Sequence, residues 1–289
     1  MKVCAIVLDY RGAPKTENCL VSLIGEKISR VLVVDNSDDA RYSEMLQAVV
    51  DRLRKVANFD IVVLGKGINF GFSRGVNLAI NADLESDNPH DAFFLLNNDA
   101  EISSGVISNL ISELDDAYDV DLVAPIILDA SGRRQGMMWY HRFFGTQSDN
   151  GGWGKFPFLS GCCLLVRTSA VRDSKLFDPS FFMYGEDVQL GWRMMREGRG
   201  IRCIEHCLVK HQNTASSSRG ELFYEFHTAR AHILLAAKTW CFRLEFPLII
   251  LIKMLFLTGR ALVRCVHYRS ATPALGLLMA LTPFEVDNP

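Results

Sequence analysis

Short apolar runs alternate with amphipathic segments through the first half of the chain. The runs have the length of strands that are buried on both faces, and they occupy residues 3–8, 31–34, 61–64, 93–96 and 122–125. Between them, apolar residues recur at helical spacing in segments 14–24, 42–56, 73–82 and 104–115. This alternation predicts right-handed crossovers and an α/β fold with a mostly parallel central sheet flanked by helices.

The run at 93–96 ends abruptly in the polar cluster Asn97, Asn98 and Asp99. Ligands of open α/β sheets bind just beyond the carboxyl ends of strands. A hard divalent cation on a phosphorylated ligand takes one or two protein carboxylates, so Asp99 with Asn97 can anchor such a cation. The alternative is an Asn/Asp turn that only ends the strand.

Polar residues also follow the first two strands. Asp9 and Tyr10 form a turn after the first apolar run, and Asp35 comes directly after the second. The Asp35 carboxylate can accept hydrogen bonds from a ribose hydroxyl or a base N–H. Alternatively, it caps the helix that follows.

A glycine-rich segment at 65–80 leads into the third helix. Gly67, Gly71 and Gly75 fall four residues apart, which does not match the dinucleotide pattern G-x-G-x-x-G. The helix N-terminus and Arg74 both favour a diphosphate. The alternative is a tight turn shaped by Asn69 and Gly71, with Asn77 bonded to the backbone.

The middle of the chain combines an irregular stretch with an acid pair. Residues 129–157 show no clear periodicity and predict a long loop on the acceptor side. Aromatic residues then precede Glu186 and Asp187, which begin a helical pattern. One of these carboxylates can serve as a general base, or both can simply offset the helix dipole.

Cysteine and histidine residues cluster between positions 203 and 211. The spacing of Cys203, His206, Cys207 and His211 fits none of the usual zinc patterns well. A lone histidine such as His211 is more often structural than a ligand.

The last part of the chain changes character. Residues 222–239 have a helical pattern, and 246–257 are strongly apolar but interrupted by Lys253. This run is too short to span a membrane comfortably. Its flanks are rich in lysine and arginine, which favours an anionic membrane surface; a core or oligomer-interface helix is the alternative.

Bulk composition excludes several classes of protein. The 289 residues carry a net charge of −2, so no basic field indicates nucleic acid. The hydrophobic fraction of 49 % is that of a globular protein. Eight scattered cysteines and no visible signal peptide favour reduced thiols in the cytoplasm.

Four motifs in order give the chain a family resemblance from about Val3 to His211. They are 33–37 (VVDNS), 69–72 (NFGF) with Gly75 and Asn77, 96–99 (LNND), and 182–187 (FMYGED) with Arg193. With these motifs the chain resembles the family 2 glycosyltransferases of the GT-A fold, and in particular their bacterial rhamnosyltransferase-like branch.

The resemblance implies a role for each matching residue. Asp187 matches the catalytic base, with Glu186 beside it. Asp99 matches the acid of a D-x-D motif that coordinates Mg²⁺ or Mn²⁺, and His211 resembles a histidine that completes the metal site in some relatives. The implied nucleotide-sugar-binding residues are Leu8, Asp9, Tyr10, Asp35, Asn69, Gly71, Phe72, Arg74, Asn77, Asn97, Asn98 and Arg193.

Two positions depart from the pattern of the family. Asn97 stands where many relatives have aspartate, so coordination can rest on Asp99 alone. The first loop reads Asp9-Tyr10-Arg11, whereas relatives commonly have a sequence closer to Asn-Tyr-Asn.

The implied protein is an inverting, metal-dependent glycosyltransferase with a catalytic GT-A domain at 1–220 and a helical, membrane-associating extension at 221–289. Its donor would be a dTDP- or UDP-sugar, with dTDP-rhamnose favoured, and its acceptor a glycan or polyprenyl-linked sugar of the cell envelope. It would work at the inner face of the cell membrane, with a homodimer allowed and no nucleic acid partner. The alternatives are a sugar-phosphate nucleotidyltransferase and a non-catalytic sugar-nucleotide-binding scaffold.

Overall fold

A computed structural model describes residues 1–65, 67–212 and 219–282. The seven terminal residues of the predicted extension, 283–289, therefore lie outside the described part. Its strands are β1 Val3–Asp9, β2 Arg30–Asp35, β3 Asp60–Leu64, β4 Ala92–Asn97, β5 Ala100–Ile102, β6 Val120–Asp129, β7 Arg134–Gln135, β8 Met138–His141, β9 Gln147–Ser148, β10 Lys155–Phe158, β11 Cys163–Arg167 and β12 Gly200–His211. Its α-helices are α1 Ala13–Ser22, α2 Ala40–Leu53, α3 Gly71–Leu84, α4 Val106–Asp116, α5 Glu186–Glu197, α6 Leu222–Lys238, α7 Glu245–Tyr268 and α8 Thr272–Ala280.

The predicted parallel sheet is present and extended by antiparallel strands. The order in the main sheet is β3-β2-β1-β4-β11-β6-β12-β5, with β7 paired to β6. β1 to β4 pair in parallel, and β11 runs antiparallel between β4 and β6. The result is the mixed α/β architecture of the GT-A fold, with helices on both faces and further helices at the C-terminus.

Register brings the ends of the parallel strands to one edge. Asp9 pairs with Asp35, and Leu8 pairs with Asn97. Because β11 runs the other way, its first residue Cys163 pairs with Leu96. The turn that leads into β11 therefore lies at the same edge as the ends of β1, β2 and β4.

Apolar side chains cover both faces of the sheet. Along β1, Val3, Ala5 and Val7 pack on the face covered by α1, α2 and α4, whereas Cys4 and Ile6 pack on the face covered by α3 and α5. This period of two is the ordinary alternation of a strand, and burial on both faces explains why the run is apolar throughout.

The expected loop at 129–157 is largely ordered, so that prediction was wrong. β8, β9 and β10 form a separate antiparallel sheet in the order β10-β8-β9. Tyr140, Phe156 and Phe158 of this sheet are buried against Trp192 of α5. Each of these strands is too short to show periodicity, and the aromatic contacts that stabilise them come from a distant helix.

The C-terminal helices pack on this small sheet through a buried polar network. Lys253 of α7 donates a hydrogen bond to Tyr140 Oη at 2.9 Å, and Tyr140 Oη lies 2.8 Å from His232 Nδ1 of α6. Arg260 contacts the other ring nitrogen of His232 at 2.9 Å. At the start of α7, Glu245 forms a bidentate pair with Arg142, both at 2.8 Å.

Helix α7 differs from its prediction in length and in the orientation of its charges. It runs for 24 residues, and within the described chain it is the one helix long and apolar enough to cross a membrane. Only 22 % of its apolar stretch is buried. Lys253, which interrupts the apolar run, is 1 % exposed and points into the protein, so it does not interrupt the outer face.

Candidate active site

Asp9, the last residue of β1, stabilises the turn that follows this strand. Its carboxylate accepts hydrogen bonds from the Thr16 hydroxyl, from Gly12 N at 3.3 Å and from Asn98 Nδ2 at 3.3 Å. Burial raises the pKa of Asp9, and these hydrogen bonds oppose that shift. Asp9 and Asn98 thus tie the loops after β1 and β4 together, and both side chains are used in holding the edge of the sheet.

Asp35 and Tyr10 lie next to Asp9. Asp35 is 1 % exposed and accepts a hydrogen bond from Ser37 N at 2.9 Å, an Asx turn rather than a helix cap. Tyr10 is 37 % exposed, and the Arg11 guanidinium lies over its ring at 5.2 Å. Leu8 packs into the core beneath them. The edge beyond β1 and β2 therefore offers an aromatic surface over a buried carboxylate.

Asp99 and His211 form a pair at the end of β4. β12 brings His211 opposite Ala100 of β5, and Asp99 Oδ1 lies 2.9 Å from His211 Nε2. Burial alone lowers the pKa of His211, but Asp99 and the thiol of Cys162 together raise it to about 10. The two residues that were predicted as metal ligands are thus adjacent.

The turn at 160–162 connects this pair to Asp187. Cys162 interacts with the His211 ring on one side, and its carbonyl accepts a hydrogen bond from Asn97 N at 2.8 Å. On the other side, Gly161 N faces Asp187 Oδ2 at 3.4 Å. Asp99 and Asp187 therefore flank one short turn at the carboxyl edge of the sheet, and the space beside this turn is the candidate active-site cleft.

Of the acid pair at the start of α5, Glu186 is buried and Asp187 is half-buried. Asp187 Oδ1 accepts a hydrogen bond from Val188 N at 2.7 Å, and burial raises the pKa of Asp187. Glu186 is 7 % exposed, and its Oε2 makes no hydrogen bond to any described residue. Burial and then the charge of Asp187 raise the pKa of Glu186 to about 8. Of the two carboxyl groups, Asp187 is the one placed at the turn.

The glycine-rich loop is bonded at the start of α3 to the segment that precedes α5. Phe72 N donates to the Phe182 carbonyl at 2.7 Å, and Gly71 N donates to Asn69 Oδ1 at 2.9 Å. Gly71 has φ = +72°, and a Cβ there would lie 2.4 Å from Phe182 O, so only glycine fits. Two N–H groups at this helix end are therefore already bonded within the protein, and the binding of a diphosphate there stays a prediction.

Three predicted donor-binding residues contact the protein backbone. Asn77 Oδ1 accepts hydrogen bonds from the backbone N–H groups of Leu176 and Phe177. Asn77 Nδ2 donates a hydrogen bond to the Phe177 carbonyl. Arg193 donates to the carbonyls of Ala170 and Leu176 at 2.8 and 2.9 Å, and Arg74 donates to Pro179 O at 3.2 Å. These contacts fix the 170–179 segment and with it the loop that precedes Asp187.

The zinc interpretation receives no support. Cys203, His206, Cys207 and His211 lie along β12, and His211 is paired with Asp99. Within the described ranges, the group of three ligand atoms lying within 4.8 Å of one another is instead Cys4, Asp83 and His90. This group is buried at the amino-terminal edge of the sheet, away from the carboxyl ends of the strands.

Sequence reasoning missed several residues that shape the site. Thr16 joins Asp9 and Asn98, and Gly161 and Cys162 join Asp187 to the Asp99–His211 pair. The signal for the turn was its small-residue sequence just before a buried strand. For Thr16 there was no signal, because it lies in a helix and reaches the site only through folding.

Comparison with known proteins identifies the family. The profile of "Glycosyl transferase family 2" matches residues 4–174 of this chain, more than half of its length. The chain belongs to glycosyl transferase family 2. It is therefore a glycosyltransferase, as the resemblance of its motifs predicted.

Two curated relatives refine the position of this glycosyltransferase within the family. An N-acetylglucosaminyl-diphospho-decaprenol L-rhamnosyltransferase of Mycobacterium tuberculosis is 27 % identical over 247 residues, which are 74 % of this chain and 77 % of the relative. A low-salt glycan biosynthesis hexosyltransferase of Haloferax volcanii is 24 % identical over 233 residues, 77 % of this chain and 71 % of the relative.

Solved structures confirm the fold. A mannosyltransferase from Pyrobaculum calidifontis, in complex with GDP-Man and Mn²⁺, superposes with a TM-score of 0.58 at 14 % identity, covering 96 % of this chain and 85 % of that one. TarS 1–349 of S. aureus in complex with UDP gives a TM-score of 0.54 at 15 % identity, covering 86 % and 70 %. At these identities the likeness concerns the GT-A fold alone.

Proposed function

We propose that this glycosyltransferase transfers a sugar from a nucleoside diphosphate to an acceptor hydroxyl with inversion, in a single displacement. The observation that carries the proposal is the turn at 160–162, which has Asp187 on one side and the Asp99–His211 pair on the other. A displacement at an anomeric carbon needs a stabilised leaving phosphate on one face and a proton acceptor on the other.

Asp99 and His211 fit a divalent cation. A carboxylate oxygen and an imidazole nitrogen that lie 2.9 Å apart can turn to one ion in place of the proton they share. Carboxylates with imidazole suit Mn²⁺, and carboxylates with phosphate oxygens suit Mg²⁺. When bound, the cation would neutralise charge on the leaving diphosphate.

Asp187 is the general base of the proposal. A half-buried carboxylate with a raised pKa accepts a proton more readily than an exposed one near neutral pH. It sits at the first turn of α5, which α6 and the small sheet hold in place. Gly161 N orients the oxygen that faces the cleft.

The donor is proposed to be a nucleoside diphosphate sugar, with dTDP-rhamnose favoured, and the acceptor a lipid-linked glycan of the cell envelope. The rhamnosyltransferase relative supports both assignments, since its name specifies L-rhamnose and a diphospho-decaprenol acceptor. Asp35 and Tyr10 would then face the nucleoside, at the end of β1 and β2.

The C-terminal helices are proposed to rest on the cytoplasmic face of the cell membrane. They expose a row of large apolar side chains, namely Leu248, Leu251, Leu255, Phe256, Leu262, Val263, Val266, Leu275 and Leu278. Such a face is stabilised by burial at the lipid interface. Arg264 contributes little net charge to it, because it pairs with Glu225, whereas Arg260, which donates to the ring of His232, keeps its positive charge there.

A panel of nucleotide sugars tests the proposal. We expect nucleotide release from one of dTDP-rhamnose, UDP-sugars or GDP-sugars, dependent on Mn²⁺ or Mg²⁺ and stimulated by a lipid-diphosphate sugar acceptor. Pyrophosphate release from a nucleoside triphosphate with a sugar phosphate would instead indicate a nucleotidyltransferase. Nucleotide-sugar binding without any turnover across acceptors would indicate a scaffold.

A further inference from the structure

A small cavity lies beside the loop that carries the proposed base. It occupies about 60 Å³ between segment 179–183 and helix α6. Arg74 reaches it from α3, and Arg230 and His227 reach it from α6. Phe182 and Phe226 add aromatic walls. The cavity therefore combines two cationic side chains with an apolar lining.

Neither arginine of the cavity has an acidic partner among the residues that the structure describes. Arg74 uses Nε on the Pro179 carbonyl, and Arg230 uses Nη1 on the carbonyls of Ala280 and Thr282. Their remaining guanidinium N–H groups make no hydrogen bond within the described ranges. Two partly buried guanidinium groups without a counterion favour the binding of an anion.

Other charged groups near the cavity do not neutralise the two arginines. Asp178 is held by Lys238 at 2.6 Å and by the Ser180 hydroxyl at 2.5 Å. Burial lowers the pKa of His227 to about 4, so this ring is neutral near pH 7, and it stacks on Phe182 at 4.9 Å.

The cavity borders the exposed apolar end of helix α8. Arg230 caps this end through Ala280 O at 3.1 Å, while Leu278 and Leu281 beside it are 63 % and 50 % exposed. An anionic group bound by the arginines would thus lie next to a surface that favours a hydrocarbon chain. A ligand with a phosphate head and an apolar tail fits both features.

The cavity is also connected to the catalytic cleft. Phe182, which lines it, bonds Phe72 N through its carbonyl at 2.7 Å. The Phe72 ring packs on Gly161, since a Cβ atom added to Gly161 would lie 3.4 Å from this ring. The backbone N–H of Gly161 in turn faces Asp187. One short path of contacts therefore links the cavity to the base.

We propose that Arg74 and Arg230 form the binding site for a phosphate group of an acceptor carried on an isoprenoid-type lipid. This inference rests on the proposed function. It assigns Arg74 to the binding of the acceptor, whereas the family resemblance implied that Arg74 binds the donor. A cavity of about 60 Å³ holds roughly four times the ~15 Å³ that one water needs. It therefore accommodates one phosphoryl group and leaves the acceptor sugar to reach the cleft outside it.

Binding of farnesyl diphosphate in detergent micelles, followed by calorimetry in the presence of EDTA, tests the site. EDTA removes any cation from Asp99 and His211, so the diphosphate cannot bind through a metal in the donor site. We expect Arg74→Gln and Arg230→Gln each to weaken binding roughly 10-fold or more, the loss of a charge-assisted hydrogen bond. Arg74→Lys, which keeps the charge, should recover part of this loss. Farnesol should bind weakly to every variant.

Arg243→Gln is the matched control. Arg243 is exposed near the start of α7 and outside the cavity, so its replacement removes the same charge from the protein without changing the cavity. Unchanged farnesyl diphosphate affinity in both Arg74→Gln and Arg230→Gln would overturn the inference. An equal loss in Arg243→Gln, together with equal losses in binding to phosphatidylglycerol vesicles, would also overturn it and indicate general attraction to anionic lipid.

The binding test does not depend on turnover. If no nucleotide sugar is a substrate, the proposed function fails, yet the arginine dependence of farnesyl diphosphate binding can still be measured. If transfer occurs, Arg74→Gln should raise the KM for the lipid-linked acceptor while the KM for the donor stays unchanged. A rise in the KM for the donor alone would instead show that Arg74 binds the donor.

Discussion

The same pair of residue types, aspartate and histidine, occurs at both edges of the central sheet. At the carboxyl edge Asp99 lies 2.9 Å from His211, and at the amino edge Asp83 lies 2.7 Å from His90. Both pairs are largely buried. Their chemical composition alone does not distinguish a reactive site from a structural one.

Their surroundings do distinguish them. At the amino edge, Asp83 Oδ2 accepts from His90 N at 2.9 Å, Ser29 Oγ lies 2.8 Å from His90 Nε2, and Arg30 approaches Asp83 at 3.7 Å. Burial and then the charge of Asp83 raise the pKa of the nearby Cys4 thiol, so it stays protonated. A cation there would have to displace a hydrogen bond and meet an arginine.

The carboxyl-edge pair instead borders the turn at 160–162, where Gly161 N faces Asp187 Oδ2. Buried polar atoms without a hydrogen-bond partner among the described residues occur near both edges, namely Glu186 Oε2 next to Asp187 and Arg30 Nε next to Asp83, so they do not separate the two pairs. The difference is that further hydrogen bonds and an arginine enclose the amino-edge pair, whereas the carboxyl-edge pair adjoins the turn that faces a second carboxylate. We therefore expect the carboxyl edge to serve a ligand and the amino edge to serve stability.

Removal of the proposed base should give the largest effect. Asp187→Asn keeps the shape of the side chain but cannot take a proton, so we expect kcat to fall roughly 10³-fold or more. The Kd of the nucleotide sugar, measured by calorimetry, should change little. Asp149→Asn, a substitution at an exposed position between β9 and β10, is the control. Equal loss of donor binding and of transfer in Asp187→Asn would contradict the assignment of Asp187 as base.

Substitution in the amino-edge pair should lower the stability of the protein and leave its rate of catalysis unchanged. Asp83→Ala leaves His90 N and its ring unsatisfied in the core, so we expect a loss of about 3 kcal/mol in the free energy of unfolding. Urea denaturation measures this loss, with the exposed Asp87→Ala as control. The kcat of the folded variant should match that of the wild type; a large fall in kcat without loss of stability would show that the amino edge takes part in catalysis.

The dependence of activity on Mn²⁺ should show which edge of the sheet binds the catalytic cation. His211→Gln is expected to raise the Mn²⁺ concentration for half-maximal activity roughly 10-fold, because a nitrogen ligand is lost. Cys4→Ala should leave that concentration unchanged. The opposite pattern, with a shift only in Cys4→Ala, would place the catalytic cation at the amino edge.

The last prediction concerns the pH dependence of stability. Glu186 has a pKa of about 8 in the folded protein, above its value in the unfolded chain, so the native state binds the extra proton between these two values. Stability should therefore fall as pH rises from about 5 to 8, by at most about 1.4 kcal/mol per pH unit. Glu186→Gln should flatten this slope in urea denaturation at pH 5 and pH 8. An unchanged slope would show that Glu186 ionises normally.

The sequence predicted the positions of polar residues at strand ends well, because a buried strand followed by an acid is a local signal. Asp9, Asp35 and Asp99 all lie at the predicted edge. It offered the bonding of Asn77 to the backbone only as an alternative. It could not predict that the partners of Asn77 and Arg193 lie in the 170–177 segment, since these contacts are about 100 and about 20 residues away. The small sheet formed by β8 to β10 was missed for the same reason.

Helix α7 is long and apolar enough to cross a membrane, yet four polar contacts attach it to the rest of the enzyme. Glu245, its first residue, binds Arg142, and Lys253 near its middle binds Tyr140. Further along, Arg260 binds His232 and Arg264 binds Glu225. To insert upright, the helix would have to release all four. A topology reporter fused after α8 should therefore read the same compartment as one fused before β1.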